Sequence, residues 1–132
     1  MLHLDVVMTT ESVVRVLVID EDCTACGGLA SFLSARHYDV QTCAGIESVP
    51  FVAAHWRPHV FVLATPVDKE RHRRLEELRR LYPTLPVVML TAADGPDLLL
   101  DVEAFAPTLP CRPALGHSGI EHAVGEVLAL RA

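Results

Sequence analysis

Short apolar runs recur along the chain, separated by stretches with helical periodicity. Residues 13–19 form a nearly unbroken β-branched run broken only by Arg15, the pattern of a strand buried on both faces of a parallel sheet. Over residues 23–37 the apolar positions Ala25, Leu29, Phe32 and Leu33 recur at helical spacing, with Gly27 and Gly28 weakening the first turns. Residues 38–43 read as a second strand and 45–56 as a helix, provided that Pro50 lies in its first turn. Val60-Phe61-Val62-Leu63-Ala64, set off by Pro58 and Pro66, is a third buried strand. Thr65-Pro66-Val67-Asp68 then has the form of a capped helix start, and Val67, Leu75, Leu78 and Tyr82 mark one stripe that ends at Pro83. A fourth strand is expected over 86–91, a short helix over 96–105 and a fifth strand over 108–111. Ser118-x-x-Glu121 is a capping box in front of a last helix whose inner face is Ile120, Val124, Val127 and Leu128.

Five strands alternating with helices predict an α/β fold, (βα)5, with a mostly parallel sheet covered on both sides as a three-layer sandwich. Such sheets bind ligands at the carboxyl ends of the strands, beside the switch point in strand order. The chemistry is therefore expected in the residues that follow each strand.

The length of 132 residues, about half of them hydrophobic, suits one domain with a sizeable core and excludes a second folded domain. Residues 1–12 lack periodicity and read as a flexible leader to a domain over 13–131. Lys and Arg total 11 against 17 Asp and Glu, a formal charge of −6, which argues against a mainly electrostatic grip on nucleic acid. No apolar run approaches the ~20 residues that span a bilayer, and Asp5 and Glu11 stand where a signal peptide would carry bases. A cytoplasmic location with no membrane contact is expected. Cys23, Cys26, Cys43 and Cys111 do not form a secreted disulfide framework and read as free thiols.

At the strand ends, Asp20-Glu21-Asp22 places three carboxylates where the sheet opens. Oxygen ligands of this kind suit Mg²⁺; the plain structural alternative is that Asp22 caps the first helix. The third strand ends in Ala64, the fourth in Thr91-Ala92 and the fifth in Cys111-Arg112-Pro113.

With Val-Leu-Val-Ile-Asp-Glu-Asp at 16–22, Leu-Pro-Val-Val-Met-Leu-Thr-Ala at 85–92 and Arg-Pro at 112–113, the chain resembles a response-regulator receiver domain over residues 13–131. The resemblance implies a flavodoxin-like fold with strand order 2-1-3-4-5 and a role in two-component, phosphorelay-type signal transduction. It further implies an acidic pair at Asp20 and Glu21 for Mg²⁺, a sensing hydroxyl at Thr91, an acceptor position at Ala64 and a phosphate-pairing cation at Arg112, with a cis peptide at Arg112–Pro113. The departures are as informative as the matches. A methyl group cannot attack phosphorus, and its presence also removes a metal ligand. Arg112 replaces a compact ammonium and is expected to pair with Asp20 or Glu21, the other use being an anion or partner contact. Leu109 occupies the place of the family's aromatic switch residue, so Thr91 reads as a capping or packing hydroxyl. The expectation is a pseudo-receiver: not an enzyme, with no cofactor beyond weakly held Mg²⁺, acting by phosphorylation-independent protein–protein interaction.

The expected partner is a kinase, an output domain or a second copy of the chain in a homodimer, docked on the face of helix four, strand five and helix five. Leu98, Leu99 and Leu109 are the candidate contact residues, because three consecutive leucines at 98–100 cannot all face inward. Three rival readings remain. Cys23-x-x-Cys26 after a strand suits a redox or metal-binding domain. Asp68 or Thr65 could serve as a displaced acceptor, although Asp68 also suits the first turn of a helix. Lys69, Arg71, His72, Arg73, Arg74, Arg79 and Arg80 could contact nucleic acid, but the interspersed Glu70, Glu76 and Glu77 make a solvated, salt-laced surface the simpler account.

Overall fold

The computed structural model describes residues 13–21, 26–64, 70–91 and 95–131. Its elements are β1 (Arg15–Asp20), α1 (Cys26–Ala35), β2 (Asp39–Cys43), α2 (Val49–Trp56), β3 (Val60–Ala64), α3 (Arg71–Leu81), β4 (Val87–Leu90), α4 (Pro96–Ala104), β5 (Thr108–Cys111) and α5 (Gly116–Arg131). The strands form one sheet in the order β2-β1-β3-β4-β5, and every pairing is parallel. This is the (βα)5 sandwich expected from the alternation of runs, in the flavodoxin-like strand order that the resemblance implied.

Alternation along each strand sorts the core into two layers, since successive side chains point to opposite faces. Val16, Val18, Val60, Val62 and Val88 pack against Leu29 and Leu33 of α1 and Ile120, Val124 and Val127 of α5. Leu17, Ile19, Phe61, Leu63, Val87 and Met89 face the other way, onto Val49 of α2, Leu75 and Leu78 of α3 and Leu98 of α4. The central strands are thus apolar on both sides, which is why they read as continuous runs. Arg15 is tolerated at the start of β1 because its Nε donates to the Arg57 carbonyl at 2.8 Å. Pro110 lies in β5, an edge strand, where its missing N–H costs no ladder bond to a further strand.

Several local expectations are corrected. The stretch 45–56 is a 3-10 turn at Ile46–Ser48 followed by α2, with Pro50 in the first turn of the helix. The last helix begins at Gly116, two residues before Ser118, directly after a 3-10 turn at Pro113–Leu115. Ser118 is therefore inside the first turn and not its cap, and Glu121 instead pairs with Arg36 of the turn after α1 at 3.1 Å. Among the described residues the cis bond is Ala106–Pro107, not Arg112–Pro113; Pro113 opens the 3-10 turn, a position that suits its locked φ, and trans is the ordinary state of an X-Pro bond. The capped start at 65–68 lies outside the described residues.

Leu98 is buried in the core, while Leu99 and Leu100 are each 63% exposed. Leu98 therefore belongs to the packing and not to a contact surface, since Leu99 and Leu100 are turned away by about 100° and 200° around the helix. The charge cluster on α3 is not a uniformly solvated face. Arg71 is buried, its Nε 2.9 Å from Oδ2 of Asp101 on α4. Arg79 donates to the carbonyls of Tyr82, Leu85, Phe105 and Pro107. Glu70 pairs with Arg73 at 2.7 Å at the solvent surface. Two of the arginines that suggested nucleic acid are thereby structural.

Candidate functional site

The parallel register brings the strand ends to one edge of the sheet. Asp20, the last residue of β1, is the register partner of Ala64, the last residue of β3, and Ala64 in turn pairs with Leu90 at the end of β4. Thr91 follows directly; it is buried, and its N–H donates to the Cys111 carbonyl at 3.0 Å, joining the ends of β4 and β5. Arg112 follows β5 and is exposed. Asp20, Glu21, Ala64, Thr91 and Arg112 are thus all at the carboxyl end of the sheet, as the sequence implied.

What lies between them differs from a charged pocket. A cavity of about 150 Å³ opens at the ends of β1, β3 and β4, with Val18, Leu29 and Ile120 as its apolar floor, Ala64 and Leu90 on the strands, and Asp20 as the one acid among the described residues that line it. Pro113 and His117 complete it from the β5–α5 side. Asp20 is only 5% exposed, so its carboxylate is largely withdrawn from water.

Glu21 points elsewhere. Its carboxylate is paired with the guanidinium of Arg74, one turn into α3. Arg74 also lies 3.6 Å from Glu70, four residues earlier on the helix. The cation that satisfies Glu21 therefore comes from the helix after β3, not from Arg112. Nothing in the sequence spacing announced this contact, because it depends on how α3 lies across the end of β1. Glu70 is held below the usual carboxylate range, first by its hydrogen bond from Arg73 and then by the nearby charge of Arg74.

The donor set does not fit a resident divalent cation. Mg²⁺ held by protein needs at least one or two free carboxylates with room for its waters. Among the described residues Ala64 supplies none, Glu21 is engaged by Arg74 and Asp20 is buried with an interaction of its own; Asp22 lies outside the described residues. Among the described residues there is no group of three or more His, Cys, Asp and Glu side chains that could hold a metal.

The thiols do not converge either. Cys43 and Cys111 end β2 and β5, the two opposite edges of the sheet, about 19 Å apart at four inter-strand spacings. A four-cysteine site is thereby excluded. Burial pushes the Cys111 thiol up from its ordinary pKa, with the charge of Glu126 adding to the effect, opposite to the shift of a reactive cysteine. Cys23 lies outside the described residues, as do Thr65 and Asp68, and the side chain of Cys26 is likewise not described.

The face of α4, β5 and α5 also carries exposed apolar side chains. Leu109 is half-buried, packed against the core, and forms with Pro110 and Leu115 the apolar side of a groove of about 460 Å³ between β5 and α5. Arg112, His122 and Glu126 supply its polar side. Leu115 is 63% exposed; it was not singled out from the sequence, because a lone leucine between Ala114 and Gly116 carries no periodic signal. No helix among the described residues is long and apolar enough to cross a membrane.

Comparison with known proteins gives a consistent picture of the fold. The chemotaxis protein CheY4 of Vibrio cholerae superposes with a TM-score of 0.75 at 18% identity, over 88% of this chain and 99% of that one. A CheY-like response regulator receiver domain from Methanospirillum hungatei gives 0.73 at 17% identity, over 91% and 97%. A LuxR-family two-component response regulator from Aurantimonas gives 0.74 at 15% identity, over 89% and 86%. The chain has the receiver fold. No protein-family profile and no curated protein sequence matches it, so the likeness is one of architecture, and the chemistry must be argued from the residues at the strand ends.

Proposed function

We propose that the chain is a pseudo-receiver of two-component-type signal transduction, which acts by binding another protein without being phosphorylated and has no enzymatic activity of its own. The observation that carries this reading is the register of Ala64 opposite Asp20: a methyl group stands at the strand end where the receiver fold presents its acceptor. The Glu21–Arg74 pair and the apolar lining of the adjoining cavity support it, because both replace features that a phosphoryl group and its counter-ion would need.

Binding is assigned to the α4–β5–α5 face, where Leu99 and Leu100 of α4 are exposed and Leu115 is exposed at the β5–α5 groove. The partner class is a kinase, an output domain or a second copy of the chain. Leu99→Asp should abolish a dimer or partner signal in sedimentation or pull-down while leaving the melting curve within about 0.5 kcal/mol of native, as expected of a surface change. An unaltered signal would remove this face from consideration.

The direct test of the reading is incubation with Mg²⁺ and acetyl phosphate, followed by intact-mass measurement. The native chain should gain no phosphoryl mass. An adduct on it would overturn the reading and direct attention to Asp68, Asp20 or Asp22 as the acceptor.

A further inference from the structure

The position of one arginine extends this reading. Arg74 leaves α3 ten residues after Ala64 and reaches the end of β1, where it meets Glu21. Its side chain is 13% exposed, against 42% for Glu21, so the guanidinium is the more deeply held member of the pair. Its Nε–H is buried without a hydrogen-bond partner. Among the described residues the charged head meets the carboxylates of Glu21 and Glu70, and the cost of an unpaired buried donor is tolerated for the sake of those contacts. The arrangement puts a fixed positive charge against one half of the acidic pair that follows β1.

We infer that Arg74 is a built-in counter-ion that takes the place of a divalent metal at the carboxyl end of β1, and that it keeps the site closed to metal independently of the missing acceptor. The inference rests on the pseudo-receiver reading but adds a second lock to it. Loss of the acceptor removes a ligand, whereas Arg74 consumes another and repels any cation that approaches. Restoring a carboxylate at position 64 is then not sufficient to restore metal binding. Even at the dielectric of water, a unit positive charge about 6 Å from a divalent ion weakens its binding roughly tenfold, and more in a partly buried site. The neighbouring charged groups leave this balance in place: Glu70 is shared with Arg73, and Arg73 itself is exposed at the surface.

The experiment compares five proteins: native, Ala64→Asp, Arg74→Gln and the double variants Ala64→Asp/Arg74→Gln and Ala64→Asp/Arg74→Lys. Mn²⁺ binding is read from the free-ion paramagnetic resonance signal, with a melting curve on each protein to establish that it is folded. The double variant should bind Mn²⁺ at least about tenfold more tightly than Ala64→Asp alone. Ala64→Asp/Arg74→Lys, which keeps the charge, should stay as weak as the single variant, separating charge from packing. Equal affinities for the Ala64→Asp and Ala64→Asp/Arg74→Gln proteins, whether both tight or both weak, would overturn the inference. That outcome leaves the pseudo-receiver reading standing, since only a phosphoryl adduct on the native chain removes the latter.

Discussion

Asp101 offers the sharpest test of how the helices on one side of the sheet are held. Its carboxylate is buried on α4 between two groups of α3: Arg71 Nε at 2.9 Å and His72 Nδ1 at 2.8 Å. Arg71 is itself only 8% exposed, so Asp101→Ala would strand a guanidinium in the protein interior. Breaking a buried pair by removing one partner costs about 3–5 kcal/mol, because the surviving charge keeps its desolvation cost and loses its attraction. With an unfolding entropy of roughly 2.1 cal/mol/K per residue over 132 residues, that loss lowers the melting temperature by about 11–18 °C. The companion Arg71→Leu/Asp101→Leu should recover most of it, since replacing both charges by packed apolar groups is often close to neutral. Differential scanning calorimetry of the three proteins reads both numbers. The pH dependence supplies an internal control. Burial alone raises the Asp101 pKa, but the contacts with His72 and Arg71 outweigh it and hold the carboxyl below its usual value. A depressed folded-state pKa gives stability that is present above the unfolded value near 4 and is lost as pH falls through the folded value. That acid-side loss should be smaller in the double leucine variant. A single variant within about 1 kcal/mol of native, or an acid limb unchanged in the double variant, would refute the buried-pair account.

Two further predictions concern Arg79 and Cys111, whose surroundings only the packing reveals. Arg79→Met leaves the Tyr82 and Leu85 carbonyls without the guanidinium, whereas Phe105 and Pro107 keep the Thr108 hydroxyl and the Val87 N–H; a loss of about 2–4 kcal/mol is expected, with faster amide exchange over 105–108 as the local readout. The Cys111 thiol, buried and shifted upward, should resist a disulfide reagent at pH 8 in the folded protein and react at the ordinary rate in denaturant; rapid labelling of the folded chain at Cys111 would contradict its place in the core.

Much of the architecture was legible because its determinants are local. The runs at β1, β3 and β4, six, five and four residues long, are apolar on both faces between breakers, the mark of a buried parallel strand. Where expectation and structure part, a neighbour decided. Ser118 with Glu121 has the spacing of a capping box, yet the helix starts earlier because the turn at Pro113–Leu115 feeds directly into it. Leu98 looks the same as Leu99 and Leu100 in sequence, and only the rotation of α4 on the sheet separates the core residue from the two exposed ones. Arg112 was expected to pair with Asp20 or Glu21; for Glu21 that place is taken by Arg74, because α3 brings its guanidinium to that carboxylate.

By itself the amino-acid sequence determined the order of elements, the parallel sheet and the replacement at Ala64, since periodicity and residue identity are properties of the chain read in one dimension. Which residues meet was decided only by the tertiary structure. The Asp20–Ala64 register follows from strand pairing, and the Arg71–Asp101 and Arg74–Glu21 pairs join residues 30 and 53 positions apart. A charged side chain on a helix reads as solvated until the packing of another element removes the water from it, and the energy of the contact is set by that removal.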